Sequence, residues 1–316
     1  MPPQGFAAYV QVTNALRDLV LATRWDSDGM LPPEPALVER FQVSRGTLRR
    51  ATEELEREGL LLIERGRGTS IRRHAQLRAL IRERLEQIAV ADSRWHLDVL
   101  KFVPDFAGSD RARARLISHP AVESAGVAFV APDNSLTDLI PLLLERGTRV
   151  LVPTYGMRRG IVLLDPAVVP RTDRAFASTL DGLERFGRRL DVNDLRAIEQ
   201  VDVVITGAIA FTTAGIHVGS GTAYLDLEWG ILATLGLVGD RTPVLGIAHD
   251  VQVVDTPIEA KPLDVTVDAV ATPTRLVDTS SHPRRPAGIN SARVTTDQLD
   301  EIAYLRDLVP TPDWTL

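Results

Sequence analysis

Residues 215–230 read GIHVGSGTAYLDLEWG, a turn in which Gly215, Gly219 and Gly221 crowd beside a hydroxyl and an acid. A β-branched run, VDVVITGAIAF (201–211), leads into it, and a helical run, DLEWGILATLG (226–236), leads out. In α/β sheets this order brings backbone N–H groups to the carboxyl end of a strand, where ligands bind. The turn reads either as a phosphate cradle or as a tight strand-to-helix reversal that needs glycine for backbone reasons alone. Moving outward, VAFVAP (127–132), RVLVP (149–153), TPVLGIAH (242–249) and VDAVATPT (267–274) repeat the strand pattern. LTDLIPLLLERG (136–147) lies between two of them and ends on a glycine, as helices do. The alternation predicts a mostly parallel α/β sheet.

The chain has 316 residues, enough for two domains, and contains no cysteine, which excludes disulfides and thiolate metal sites. The N-terminus lacks the basic start and apolar core of a signal peptide, and no apolar run is long enough to span a bilayer, so a cytoplasmic protein without membrane contact is expected. The net charge of −6 argues against a protein coated in nucleic acid, yet a small basic face would be hidden in that total.

Upstream, to about His74, the pattern changes. Val12, Leu16, Leu19 and Val20 have helical spacing. Prolines then open a second helix with Ala36, Leu37 and Phe41 facing inward, and Ser44 is placed to cap a third with Leu48, Ala51 and Leu55 on one side. Two short strands around Gly66 and Gly68 complete a winged helix-turn-helix. Arg45 and Arg49, four apart at the start of the third helix with Thr47 beside them, share a face suited to guanine O6 and N7 in a major groove. Arg50, Arg72 and Arg73 suit phosphates, and the wing through Gly66, Arg67 and Gly68 suits close approach to the sugar-phosphate. The alternative is a solvated face paired with Glu53, Glu54 and Glu58.

The stretch LPPEPALVERFQVSRGTLRRATEELEREGLLLIERGRGTSI (31–71) resembles the DNA-binding head of GntR-family bacterial regulators, through its VSRxTxR helix start and RGxGT wing. Where that family often carries another arginine, this chain has Glu34-Pro35. Segments spread over residues 78–277, among them RALIRERL, KFVPDFAG, TRVLVPTYGMRRGI and GIHVGSGTAYLDLEWGIL, resemble the 5-formyltetrahydrofolate cyclo-ligase (methenyltetrahydrofolate synthetase) family, especially its divergent domain-containing relatives. The resemblances imply a head over 1–74, a Rossmann-like cyclo-ligase domain over 77–280, and a linker with a terminal helix over 281–316.

By resemblance, Arg78 and Arg82 hold ATP phosphates, Gly219, Ser220, Gly221, Thr222 and Tyr224 form the phosphate loop, and Asp226 and Asp264 associate with magnesium. Lys101 matches a basic position of the divergent relatives, whereas His217, His249 and Asp250 are placed by position near the expected pocket; an exposed lysine and a buried His–Asp pair are the plainer readings. The departures remove charge: His217, Ser220, Thr222 and Ala223 stand where the family loop carries arginine and other basic residues, and Leu136 stands where it has a glutamate on the folate side. Fixed cations are most of what a phosphoryl-transfer enzyme supplies, so binding is expected to outlast turnover. The expected function is a homodimeric regulator that binds a double-stranded DNA operator and senses a phosphorylated, nucleotide-like or folate-like molecule. The alternative is an ATP- and magnesium-dependent cyclo-ligase carrying the head.

Overall fold

The computed structural model describes residues 4–22, 30–57, 60–64, 66, 68–91, 102–219, 224–256, 258, 264–279, 285–291, 294 and 296–309. The chain forms two compact units, Met1–Arg84 and Leu85–Leu316.

The first unit contains α1 (Gln4–Ala22), α2 (Glu34–Phe41), α3 (Arg45–Arg57), the strands β1 (Leu61–Glu64) and β2 (Gly68–Ile71), and α4 (Arg73–Leu85), which runs one residue past its boundary. The expected stripe of α1 is buried: Val12, Leu16 and Val20 meet Leu48, Ala51 and Leu55 of α3 in one small core. In α2 the inward residues are Leu37, Val38 and Phe41, whereas Ala36 faces solvent. Gln42 turns the chain out of α2 in a left-handed conformation, with φ 51°. β1 and β2 pair antiparallel, and Leu31 N–H donates to Thr69 O at 2.8 Å, so the chain before α2 lines the wing.

The second unit is built on an eight-stranded sheet. Its elements in chain order are β3 (Ala89–Val90), β4 (Asp105–Phe106), α5 (Ser109–Ile117), α6 (Pro120–Glu123), β5 (Val127–Val130), α7 (Leu139–Glu145), β6 (Arg149–Pro153), β7 (Ile161–Leu164), α8 (Arg174–Ala177), α9 (Leu180–Phe186), β8 (Arg188–Leu190), α10 (Val192–Arg196), β9 (Val203–Gly207), β10 (Ala210–Thr212), β11 (His217–Val218), α11 (Tyr224–Thr234), β12 (Val244–Ile247), β13 (Val253–Val254), β14 (Ala269–Ala271), β15 (Leu276–Asp278), α12 (Thr296–Glu301) and α13 (Ala303–Leu308). The sheet order is β15-β14-β12-β9-β5-β6-β7-β8. The strands from β14 to β6 are mutually parallel, and antiparallel strands close both edges.

Alternation along the parallel strands divides the core into two layers. Val127 and Phe129 of β5 face one side with α11 and α13, while Ala128 and Val130 face the other with α5 and α7. Both faces are covered, so these strands read as continuous apolar runs. The run 201–211 is not one strand: it ends at Gly207 and resumes as β10, which pairs with β11 and β13 in a small separate sheet. The C-terminal run 295–308 is likewise two short helices, broken at Ile302, whose extended backbone (φ −109°, ψ 103°) turns its side chain into the core. Among the described residues no helix is long and apolar enough to cross a membrane.

Candidate functional site

In the first unit, Ser44 caps α3: its Oγ accepts the Thr47 N–H at 3.1 Å and lies 2.9 Å from Thr47 Oγ1. Arg45 and Arg49 are exposed one turn apart. Arg49 is held by Glu34, its Nε donating to Oε2 at 3.2 Å. Arg50 stacks over the Tyr9 ring at 4.6 Å, and Tyr9 Oη donates to Glu54, which also pairs with Arg57. Arg72 is engaged at the base of the hairpin, its Nε donating to Leu61 O at 3.0 Å. Gly66 and Gly68 have φ of 81° and 105°, values that side chains rarely adopt, so the wing needs both glycines. Arg67 and the Arg73 side chain lie outside the described residues.

Arg78 and Arg82 sit one turn apart on α4, and both are buried. Burial, reinforced by the charges of Arg82 and Arg72, pulls the Arg78 guanidinium down to about 10. Cations crowded in this way gain from an anion.

In the second unit the chain leaves β5 toward β6 on one side and enters β12 from β9 on the other, so the crevice between the carboxyl ends of β5 and β9 is the topological switch point of the sheet. Asp133, just after β5, accepts the Gly207 N–H at 2.8 Å across that crevice. A Cβ on Gly207 would meet this carboxylate at 3.0 Å, so a larger residue would push the two strand ends apart. His217 takes the other backbone group of the same residue: Nε2 lies 2.9 Å from Gly207 O, and because a carbonyl only accepts, Nε2 carries the proton. The ring packs edge-on against Phe211 with centroids 5.7 Å apart. Burial lowers the His217 pKa, opposed by the Gly207 bond and by the charges of Asp133 and Asp264, so the ring is neutral at pH 7. Glu228 is buried, and it is pushed well above the ordinary carboxylate range by that burial and by the Asp133 charge.

Helix α11 presents Tyr224 and Asp226 in its first turn. Asp226 Oδ1 accepts the Val265 N–H at 2.9 Å, which brings it beside the residue following Asp264. That bond ties Asp226 to the backbone beside Asp264, the other acid expected from the resemblance to associate with magnesium. Among the described residues no group of three or more His, Asp or Glu could hold a metal by itself. The Tyr224 phenol lies over Gly156, where a Cβ would stand 3.1 Å from its oxygen; burial raises its pKa, with Arg158 opposing. Gly219 packs against the His217 ring; Ser220, Gly221, Thr222 and Lys101 lie outside the described residues.

His249 and Asp250 have separate structural work. His249 Nδ1 accepts the Val251 N–H at 3.3 Å as the cap of a short 3-10 turn, and its ring meets Phe106 edge-on at 5.8 Å. Asp250 accepts from Thr272 and Thr274 at 2.7 and 2.5 Å. Gln252, which sequence reasoning passed over, ties the end of β12 to that of β9 through Ala208 O at 2.7 Å. Asp133 and Glu228 were passed over too, although an acid directly after the predicted strand run 127–132 and another four residues after Tyr224 were visible signals. Leu136 is fully buried in the α5–α7 layer, so a glutamate there would have to enter an apolar core.

The family model described as "Bacterial regulatory proteins, gntR family" matches residues 8–71, and that of the "5-formyltetrahydrofolate cyclo-ligase family" matches residues 70–273. The chain is 31% identical over 210 residues to the methenyltetrahydrofolate synthase domain-containing protein of Bos taurus, covering 65% of this chain and 54% of that protein. It is 28% identical over 174 residues to the 5-formyltetrahydrofolate cyclo-ligase of Escherichia coli K12, covering 52% of this chain and 88% of the enzyme. Over 69 residues it is 41% identical to an uncharacterized HTH-type transcriptional regulator of Rhizobium meliloti, covering 22% of this chain and 28% of the regulator. The chain thus spans about half the length of the synthase domain-containing relative.

Proposed function

Because this chain belongs to the 5-formyltetrahydrofolate cyclo-ligase family and carries a GntR-family DNA-binding domain ahead of it, we propose that it is a DNA-binding regulator whose cyclo-ligase-like domain senses a phosphorylated, nucleotide-like or folate-like molecule. The observation that carries this reading is His217. At the position where the resemblance expects a cation, the chain has a half-buried neutral ring whose Nε2–H is committed to Gly207 O. A group held in that way orients a strand end and offers no charge to a transferring phosphoryl group.

Binding asks for less than turnover. Arg78 and Arg82 are proposed anion-holding groups of α4; the turn Gly219, Ser220, Gly221 and Thr222, with Tyr224, is proposed as the phosphate-holding loop of the second unit. Asp226 and Asp264 would hold magnesium, which when bound screens phosphate oxygens. The ligand can regulate DNA binding only if it favours the operator-bound or the operator-free arrangement of the protein. A homodimer on a near-palindromic operator is the proposed DNA-bound form.

The Asp226–Val265 link favours a second reading, an active ATP-dependent cyclo-ligase, because it holds Asp226 to the backbone next to Asp264, the other proposed magnesium acid. Two assays on the full chain separate the readings. Nucleotides and folates with magnesium are expected to raise its melting temperature and to change its affinity for a DNA sequence selected from a random pool. Steady formation of the methenyl product from 5-formyltetrahydrofolate and ATP would establish the enzyme instead.

A further inference from the structure

The third helix of the head carries a contact that serves neither its packing nor its cap. Glu34 Oε2 accepts from Arg49 Nε at 3.2 Å, and the two side chains are 37% and 65% exposed. An ion pair this open contributes little to folding. Its geometry matters more than its energy. A guanidinium has five donors in a rigid fork, and a carboxylate on Nε occupies its flank while the two Nη groups at the tip remain directed outward. Those tip donors are the ones that fit guanine O6 and N7. An unrestrained arginine would have to freeze its rotamers on meeting a base, whereas this one is held beforehand. The pair is also neutral. An isolated arginine on this face would attract any phosphate and add to sequence-independent binding, and the Glu34 charge cancels that attraction.

We propose that Glu34 is a positioning residue that sets sequence specificity: it aims Arg49 at a base edge and removes its pull on the phosphate backbone, so that Arg49 selects sequence without strengthening non-specific binding. The proposal rests on the head binding DNA. Pro35 beside it strengthens the argument, because the position next to Glu34 then offers no side-chain donor of its own to a base or a phosphate.

The test starts with the full-length protein and a randomised duplex pool, from which a preferred sequence is selected. Wild type, Glu34→Gln, Arg49→Ala and the double variant are then titrated on the preferred duplex, on its single-base variants and on a scrambled duplex, between about 50 and 200 mM salt. Glu34→Gln is expected to bind the scrambled duplex several-fold tighter, to steepen the log–log salt dependence by roughly 0.9, as one added phosphate contact would, and to lose about tenfold of its discrimination at one base pair. Arg49→Ala is expected to lose preference at that same base pair, and the double variant to lose no more than Arg49→Ala alone. Unchanged discrimination and salt slope in Glu34→Gln, beside a selective wild type, would overturn the role of Glu34. A wild type that enriches no sequence would instead overturn the DNA-binding premise. Thermal melts guard against misfolding, which a near-isosteric change on an exposed face is not expected to cause.

Discussion

Helices α3 and α11 both begin with candidate site residues, yet they are packed in opposite ways. α3 buries one stripe, Leu48, Ala51 and Leu55, and leaves Arg45 and Arg49 in water. α11 buries Leu225, Glu228, Trp229, Gly230, Ile231 and Leu232, which point around most of its circumference. Part of that cover is the C-terminal segment. Trp229 Nε1 donates to Pro286 O at 2.8 Å, and the Arg285 guanidinium lies 5.3 Å from the Trp229 ring centroid while reaching Thr242 O at 2.7 Å and Asp268 Oδ2 at 2.6 Å. Farther along, Tyr304 Oη accepts the Ile161 N–H at 2.9 Å and donates to Leu190 O, pinning the edge strands β7 and β8. This segment lies beyond residue 273, where the cyclo-ligase match ends. A helix covered on one side can change its exposed residues without changing its fold; a helix covered nearly all round cannot.

That contrast is exposed to direct tests. The largest expected effect is at Trp229: Trp229→Ala should cost about 3–5 kcal/mol in urea unfolding, since it opens a cavity and strips a partner from Arg285. A loss below about 1 kcal/mol would mean that the C-terminal segment does not close over α11.

Glu228 comes next, with a signature in pH. Its folded pKa is raised above the ordinary 4.5 by burial and by Asp133. The group's favourable contribution is therefore complete below 4.5 and lost as pH rises toward the folded value. Glu228→Gln keeps the shape without the charge, so its stability advantage over wild type should grow with pH from 4.5 upward in magnesium-free buffer. A difference that stays flat with pH would place Glu228 in water.

Gly230→Ala should follow. The added Cβ would lie 3.1 Å from the Ile289 Cα, a backbone atom that cannot swing aside, so overpacking of about 1–3 kcal/mol should outweigh the roughly 1 kcal/mol gained in helix propensity. A stabilised variant would show that the segment gives way at Ile289. The smallest effect on folding belongs to α3: Arg45→Ala should leave stability within about 0.5 kcal/mol while removing about 1–3 kcal/mol of base discrimination. Equal weakening on every duplex would assign Arg45 to the phosphates.

The head was legible because its signals are local. The α1 and α3 stripes, the Ser44 cap and the wing glycines each depend on neighbours within a few positions, and the structure places them as the spacing predicts. The parallel strands were legible for the same reason, and Gly219 does follow a strand, β11, while Tyr224 opens a helix, α11. The break between β9 and β10 escaped notice because apolar residues continue straight through it: the chain changes sheets without changing its hydrophobicity.

What the sequence alone determined is where the head helices and the parallel strands run, which face of α1 and of α3 is apolar, and that the glycine-rich stretch sits beside a strand. The tertiary structure decided which polar groups meet. Asp133 and His217 reach one residue, Gly207, from far apart in the chain, and Glu34 reaches Arg49 from another helix. Arg285 finds Trp229 from beyond the matched domain. Spacing along a chain cannot specify these meetings, because desolvation and charge–charge interaction depend on distance and burial in the folded state. That is why the histidine that stands where the family loop carries arginine is, in the fold, a neutral donor to a strand end.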